Sequence, residues 1–214
     1  MAALFPPWTN TATRVALIAI ALGAATALAG PMIYARMPFA TGQSNPLLQP
    51  VQFDHRHHVR DDGIDCRYCH GAAEHAPYAG VPATEVCLGC HNQIWNDSTL
   101  LAPVRDSAAS GRPIAWQRVH SLPDFVYFDH SIHVNKGIGC VSCHGRVDEM
   151  AAVYQVAPLT MGWCLDCHRD PVPNLRPRDQ ITSMTWQAKS PAVTAALAKT
   201  YGTRSLTHCS TCHR

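Results

Sequence analysis

The chain has 214 residues, a formal net charge of +2, ten cysteines and thirteen histidines. A charge balance so close to neutral excludes the basic surface that nucleic-acid binding requires. The content of cysteine and histidine leaves three classes of protein: a scaffold held by disulfides, a protein with several zinc ions, or a multihaem protein.

The N-terminal part predicts a transmembrane helix over residues 15–35, a run without charged side chains. A helix of these 21 residues would be about 32 Å long, enough for a hydrocarbon core of about 30 Å. A cleaved signal peptide is the alternative, because Ala27-Leu28-Ala29 resembles a cleavage site. We expect a retained single-pass anchor in the cell inner (cytoplasmic) membrane, with residues 1–14 inside. Under either interpretation the residues from about 37 onward lie on the periplasmic or extracytoplasmic side.

Residues 36–50 are rich in proline and small polar residues, which predicts an extended linker. Residues 51–214 then form one domain by length. Strand-like alternation is absent, and the clearest helix of this domain starts at Ser190-Pro191 and ends before Gly202. We therefore expect a small, mostly irregular fold with short α-helices, stabilised by something other than a large apolar core.

The domain contains an internal repeat, with one copy at 53–91 and a second at 128–168. The first copy reads FDHRHH, then CRYCH, then CLGCH; the second reads FDHSIH, then CVSCH, then CLDCH. The tail, 169–214, ends in one more such unit, CSTCH. The repeat indicates that one chemical arrangement is used twice.

All ten cysteines fall into five Cys-x-x-Cys-His units. On a short helical turn, positions i, i+3 and i+4 share one face, so two thiols can bond the two vinyl groups of a haem while the histidine reaches its iron. The sequence therefore predicts five haem c groups. The predicted attachment cysteines are Cys66, Cys69, Cys87, Cys90, Cys140, Cys143, Cys164, Cys167, Cys209 and Cys212, and the predicted proximal iron ligands are His70, His91, His144, His168 and His213.

The two other classes fit this pattern less well. Structural zinc sites take two Cys-x-x-Cys units each, and five units cannot pair evenly. Five disulfides would not require a histidine after every second cysteine.

Each copy of the repeat also supplies candidate ligands for the opposite face of the iron. His55 with His58, and His130 with His133, lie three residues apart on what we expect to be short helical turns. Each turn can then serve two neighbouring haems. Phe53 and Phe128 precede the two pairs, and we expect them to pack on porphyrin faces.

The fifth iron needs one more distal ligand. His120 is the first candidate, because it stands immediately before the second repeat. Met161 and Met150 are rivals, since a thioether sulfur also binds haem iron and raises its potential. We expect His57, His75 and His208 to lie at the surface or beside the ligands.

The Phe-x-His-x-x-His segments followed by Cys-x-x-Cys-His units resemble class III multihaem cytochromes. The fuller pattern, with one N-terminal helix, five units, VHSLPDFVYFDHSIHV and LTMGWCLDCHR, is similar to the pentahaem cytochrome c subunit of alternative complex III. This resemblance implies a membrane complex that oxidises quinol. It also implies an iron–sulfur/molybdopterin-like subunit, polytopic subunits that bind quinol, and a monohaem cytochrome c or other soluble acceptor as partners.

We therefore expect an electron-transfer subunit that passes electrons from quinol oxidation to a periplasmic acceptor. We do not expect an enzyme in its own right, because every unit ends in histidine and further histidines are available as distal ligands, which leaves no iron open for a substrate. The alternative is a membrane-anchored multihaem quinol dehydrogenase that acts without a large complex.

Overall fold

The computed structural model describes residues 5–214. The chain divides into two compact units, residues 1–42 and 43–214. The first unit contains a 26-residue helix, α1 (Thr9–Tyr34), and a short helix, α2 (Pro38–Thr41). Helix α1 includes the predicted span except for its last residue, and it begins at Thr9 rather than Val15. None of its side chains is buried within the structure.

Helix α1 is long and apolar enough to span a bilayer, as judged by its length and composition. A signal sequence meets the same criterion, so the helix is compatible with both interpretations of the N-terminus.

The second unit is built from short helices joined by irregular segments. Between residues 43 and 214 no β-strand forms, and only isolated bridges join Gln43 to Gln155 and Ile138 to Leu175. This confirms the expectation of short helices and irregular chain. The α-helices of this unit are α3 (Cys66–Cys69), α4 (Thr84–His91), α5 (Ala102–Ser110), α6 (His130–Asn135), α7 (Val141–His144), α8 (Met161–Arg169) and α9 (Pro191–Tyr201). A π-helix (Arg56–Asp61) and 3₁₀ turns (Thr99–Leu101, Val147–Glu149, Val172–Asn174, Arg178–Gln180, Cys209–Thr211) complete the set.

Helix α9 forms where the sequence predicts it. Ser190 is extended, Pro191 takes the first helical position, and Gly202 ends the helix in the left-handed region at φ +58°. The amides of Gly202 and Thr203 donate to the carbonyls of Lys199 and Ala198, which closes the last turn.

The apolar core of the described chain is small. It consists of six buried apolar residues: Val51, Val104, Met150, Ala157, Leu175 and Ile181. Such a core provides little of the side-chain burial that normally stabilises a domain of this size. Interactions other than apolar burial must therefore stabilise this unit, and the histidine-rich segments are the candidates for them.

The two copies of the repeat differ by one residue in the segment between the phenylalanine and the first cysteine. Phe53 precedes Cys66 by 13 positions (66 − 53), whereas Phe128 precedes Cys140 by 12 (140 − 128). The π-helix accommodates the additional residue, since a π-turn holds one more residue than an α-turn. Its i→i+5 geometry is seen in the amide of Asp62, which donates to the carbonyl of His57 at 2.9 Å.

Candidate functional site

Each Cys-x-x-Cys-His unit lies on a helical turn. In three units the amide of the histidine donates to the carbonyl of the first cysteine, at 2.8 Å for His70, 3.0 Å for His144 and 2.9 Å for His213. The units at 87–91 and 164–168 lie within α4 and α8. None of the ten cysteines forms a disulfide. Helical turns of this kind carry positions i, i+3 and i+4 on one face, which is the spacing that haem attachment requires. The attachment itself stays a prediction.

Three histidines of these units face a histidine of a His-x-x-His pair. The ring centroids are 6.1 Å apart for His58 and His91, 6.0 Å for His133 and His168, and 6.3 Å for His130 and His144. A metal ion lies about 2 Å from an imidazole nitrogen, so two rings bound on opposite sides of one ion have centroids roughly 6 Å apart. The spacing of all three pairs fits one ion held between two imidazoles.

His55 lies within the electrostatic range of His70, the histidine of the first unit. Burial lowers the pKa of His55 to about 4, and the charge of His70 contributes to the same shift. The Nδ1 atom of His55 is buried and has no hydrogen-bond partner. A buried imidazole in this state is costly in an empty protein and is relieved when one of its nitrogens binds a ligand.

The orientation of most of these rings is fixed by the main chain. In six of them Nδ1 lies 2.7–3.0 Å from a carbonyl oxygen. The nitrogen that donates to a carbonyl carries the proton, which leaves Nε2 free to bind metal. The six pairs are His58 with Asp54, His70 with Gly80, His91 with Ile94, His130 with Pro77, His133 with Asp129 and His213 with Phe125.

The two phenylalanines of the repeat contact the histidines that follow them. Phe53 stacks on His58 with centroids 4.2 Å apart, and Phe128 stacks on His133 at 4.5 Å. Each phenylalanine also meets the first histidine of its pair edge-on, at 4.7 Å in both copies. The rings therefore buttress the paired imidazoles, and their predicted contact with porphyrin stays a prediction.

The candidates for the fifth distal ligand lie in different environments. His120 contacts His144 of the third unit, with His120 Nε2 and His144 Nδ1 3.3 Å apart. Met150 is 5 % exposed and belongs to the apolar core, whereas Met161 is 68 % exposed at the start of α8. Which of the three serves the fifth unit stays a prediction.

The three remaining histidines lie near the surface. The ring of His57 stacks on Trp95 at 6.0 Å, and its Nε2 is 3.5 Å from Asp62. His75 and His208 are exposed.

Burial and neighbouring groups keep several of these imidazoles neutral. Burial, followed by the charges of His120 and His130, lowers the pKa of His144 to about 3. Burial also lowers the pKa of His120 and His133. A neutral imidazole is the form that binds metal.

The attachment units follow one another in space in a definite order. The thiol of Cys140 raises the pKa of Cys66 and the thiol of Cys66 lowers the pKa of Cys140, so the first and third units are near each other. The pKa of Cys69 is raised mainly by burial and, to a smaller extent, by the charge of Cys87. The second unit therefore lies near the first.

The fourth and fifth units continue this order beyond the third. Burial raises the pKa of Cys143 to about 11, and Cys167 adds to that shift. Cys164 lies within the electrostatic range of Cys212, and Leu206 N donates to His168 O at 3.1 Å. These proximities indicate that the second, first, third, fourth and fifth units are successive neighbours.

The donor set fits a haem better than a bare ion. Across residues 5–214 no group of three or more histidine, cysteine or acidic side chains is arranged around a common metal position. Two imidazoles occupy only two positions of a six-coordinate ion, and a porphyrin supplies the four in between. A cavity of about 370 Å³ also opens beside Cys66.

Arg176 is a residue of this region that sequence reasoning missed. Its guanidinium is buried beside Cys140, its Nη1 donates to Ser183 O at 2.7 Å, and its Nε has no partner. It lies 5.5 Å from the ring of Trp186. An arginine in a polar segment gives no sequence signal of such burial.

Comparisons with known proteins agree with this site. Residues 56–214 match the model of the family described as outer membrane cytochrome MtrC/MtrF-like, domains II/IV. The chain is also 35% identical over 97 residues to the menaquinone reductase, multiheme cytochrome c subunit, of Nitratidesulfovibrio vulgaris. That alignment covers 45% of each chain, so this protein spans less than half the length of the relative it matches. The family match includes most of the chain, and the protein belongs to the MtrC/MtrF-like multihaem cytochromes.

Proposed function

We propose that this protein binds five haem c groups and carries electrons between a quinone-linked membrane complex and a periplasmic acceptor. The observation that carries the proposal is the set of histidine pairs about 6 Å apart, each with one histidine from a Cys-x-x-Cys-His unit. Bound haem c supplies reversible one-electron chemistry at an iron whose potential depends on its axial ligands and surroundings.

In this proposal the residues of the chain divide into three roles. The ten cysteines attach the porphyrins, and the histidines of the five units bind iron from the proximal side. Opposite them, His55, His58, His130 and His133 serve the units at 66–70, 87–91, 140–144 and 164–168 respectively. The carbonyl partners of Nδ1 hold the rings in place, which keeps their Nε2 atoms directed at the metal.

The order of the units predicts one continuous row of redox sites. The unit at 87–91 stands at one end, the unit at 140–144 in the middle and the unit at 209–213 at the other end. An electron then enters at one end of the row and leaves at the other. Neither end requires a bound substrate, which agrees with a carrier that is not catalytic by itself.

The proposal is compatible with two directions of electron transfer. The resemblance to the alternative complex III subunit favours quinol oxidation, with an iron–sulfur/molybdopterin-like subunit and polytopic subunits as partners. The relative in Nitratidesulfovibrio vulgaris is a menaquinone reductase subunit, and its name favours electron delivery to quinone, the opposite direction. Both use the same row of sites, so the direction is set by the partners.

The ligand assignment can be tested with two adjacent histidines. His58→Ala should convert the iron of the unit at 87–91 from six-coordinate low-spin to high-spin, seen by electron paramagnetic resonance as about one fifth of the total iron. His57→Ala is the matched control, because this ring is 54% exposed and its loss should leave the spin state of every iron as it is in the unmodified chain. Intact mass should show five covalently retained porphyrins in both variants. Fewer than five in the unmodified chain, or equal spectra for the two variants, would contradict the proposal.

The functional part can be tested with membranes that contain the native complex. Menaquinol should reduce the haems rapidly in those membranes and slowly when added to the purified full-length chain. Rapid reduction of the purified chain would instead support the membrane-anchored quinol dehydrogenase.

A further inference from the structure

We propose that His120 is a positioning residue for His144 and not an iron ligand. The proposal rests on the proposed function, because it concerns the haem that His144 binds. It assigns to His120 the control of the redox potential at the middle of the row.

The first argument is the direction of the His144 ring. Its plane is at 10° to that of His130 and the two centroids are 6.3 Å apart, a spacing that fits two imidazoles bound on either side of one iron. The Nε2 atom of His144 then belongs to the metal. Its Nδ1 atom must find a partner on the other side, and His120 is there.

The second argument is the contact itself. His144 Nδ1 and His120 Nε2 are 3.3 Å apart, and the rings meet edge to face with centroids 4.4 Å apart and planes at 77°. With iron on Nε2, the proton of His144 is on Nδ1 and is donated to His120. The Nε2 atom of His120, the usual ligand nitrogen, is thereby occupied.

The third argument is the contrast with the other rings. Six histidines of the haem sites have Nδ1 against a main-chain carbonyl, which no substitution of a side chain can remove. His144 uses a side chain instead. An acceptor on Nδ1 raises the basicity of the ligand imidazole and stabilises the more positively charged ferric iron. His120 therefore lowers the potential of the haem at 140–144.

This assignment has a consequence for the fifth unit. With His120 engaged at the third unit, the position opposite His213 falls to Met161 or remains open to small exogenous ligands. Of the two candidate methionines, Met161 is the one with an exposed side chain. It lies one turn before Cys164, whose thiol is within the electrostatic range of the Cys212 thiol.

Two substitutions in the purified full-length holoprotein test the role of His120. In His120→Gln, the amide oxygen can still accept from His144 but cannot replace an imidazole on iron. We expect every iron that is low-spin in the unmodified protein to stay low-spin, with potentials close to the original. In His120→Leu the acceptor is lost, and the ratio of ferric to ferrous form of one haem should fall about tenfold at fixed potential, a rise of about 59 mV.

The measurements are electron paramagnetic resonance and a spectroscopic redox titration, with His57→Gln as the control. New high-spin iron in His120→Gln would show that His120 is a ligand and would overturn the proposal. Unchanged potentials in His120→Leu would overturn it as well. If the His120→Leu variant cannot be obtained as folded holoprotein, the spin state of the His120→Gln variant still shows whether His120 is an iron ligand. A shortage of porphyrin in the unmodified protein would be visible by mass and would count against the proposed function instead.

Discussion

The two copies of the repeat share one half of their ligand geometry and differ in the other. The second histidine of each pair, His58 or His133, has the same surroundings in both copies. It stacks on the phenylalanine five residues before it, points Nδ1 at the carbonyl four residues before it, and faces the histidine of the more distant unit at 6.0–6.1 Å. These contacts are mostly local, so the motif itself specifies them.

The first histidine of each pair depends on its context. His130 is held by Pro77 O at 2.9 Å, a carbonyl that lies in the first copy, whereas Nδ1 of His55 has no partner. In both copies the aspartate accepts from the amide and the side chain of the residue two positions later. The turns differ nevertheless, because an α-helix follows Asp129 and a π-helix follows Asp54. The duplicated motif thus preserves the geometry that local contacts determine. The environment of the first histidine depends on residues outside the motif.

One aligned position shows this difference clearly. Asp65 and Gly139 both stand immediately before the first cysteine of their copies. The carboxylate of Asp65 accepts from Thr182 Oγ1 at 2.7 Å and from Arg67. At Gly139 there is no side chain, and the guanidinium of Arg176 fills the space.

The largest effect is expected from Gly139→Ala. A Cβ atom there would collide with the guanidinium of Arg176, which is buried and bonded to Ser183 O. We expect the free energy of unfolding of the holoprotein to fall by about 2–3 kcal/mol, the usual effect of overpacking. A guanidinium chloride titration followed by circular dichroism measures it. The control is Gly162→Ala, where no heavy atom lies within 4 Å of the added Cβ. Equal losses of unfolding free energy in the two variants would show that the Arg176 guanidinium does not require the space beside Gly139.

A smaller and equal effect is expected from Phe53→Leu and Phe128→Leu. Both rings stack on the second histidine at nearly the same distance, so each substitution should lower the free energy of unfolding by about 1 kcal/mol. Phe39→Leu, at a ring that is 85% exposed, is the control. If only one of the two copies responds, the phenylalanines do not have the same role and the equivalence of the copies fails.

The smallest effect concerns acid stability. The hydrogen bond from Arg67, opposed by burial, lowers the pKa of Asp65 to about 2, and Thr182 adds to the shift. A carboxylate with a lowered pKa stabilises the folded state above its ordinary pKa of about 4, and this contribution is lost as the pH falls towards 2. The side chain is 40% exposed, so we expect Asp65→Asn to cost less than about 1 kcal/mol at pH 7.

The test of that expectation is acid unfolding of the holoprotein between pH 5 and 2. Asp65→Asn should flatten the pH dependence relative to the unmodified chain. The exposed Asp106, replaced by Asn, should leave it unchanged. An unaltered profile for Asp65→Asn would show that the hydrogen bonds of the Asp65 carboxylate do not contribute to acid stability.

The parts of the fold that sequence predicted are those set by local spacing. The helical turns of the Cys-x-x-Cys-His units and the helix from Pro191 to Gly202 depend on residues within one or two turns of each other, and all form as expected. The His-x-x-His segments are helical as well, although the first is a π-turn because of its extra residue.

The parts that sequence could not predict depend on distant neighbours. His120 and His144 are 24 residues apart, and no periodicity links them. Cys66 of the first unit and Cys140 of the third are close enough to shift each other's pKa, a proximity between the two copies of the repeat that no sequence spacing predicts. The burial of Arg176 follows from a glycine 37 positions before it (176 − 139), a relation visible only in three dimensions.

The placement of each histidine pair ahead of its two attachment units has a consequence for maturation. A chain is made from its N-terminus, so both imidazoles of a turn exist before the cysteines that they will serve. On the proposed ligand assignment, the first copy possesses by residue 91 every group needed to complete two sites, before any residue of the second copy has been synthesised. The protein can therefore mature in two successive modules, and a cofactor shortage late in synthesis would leave the first module finished and the later sites empty.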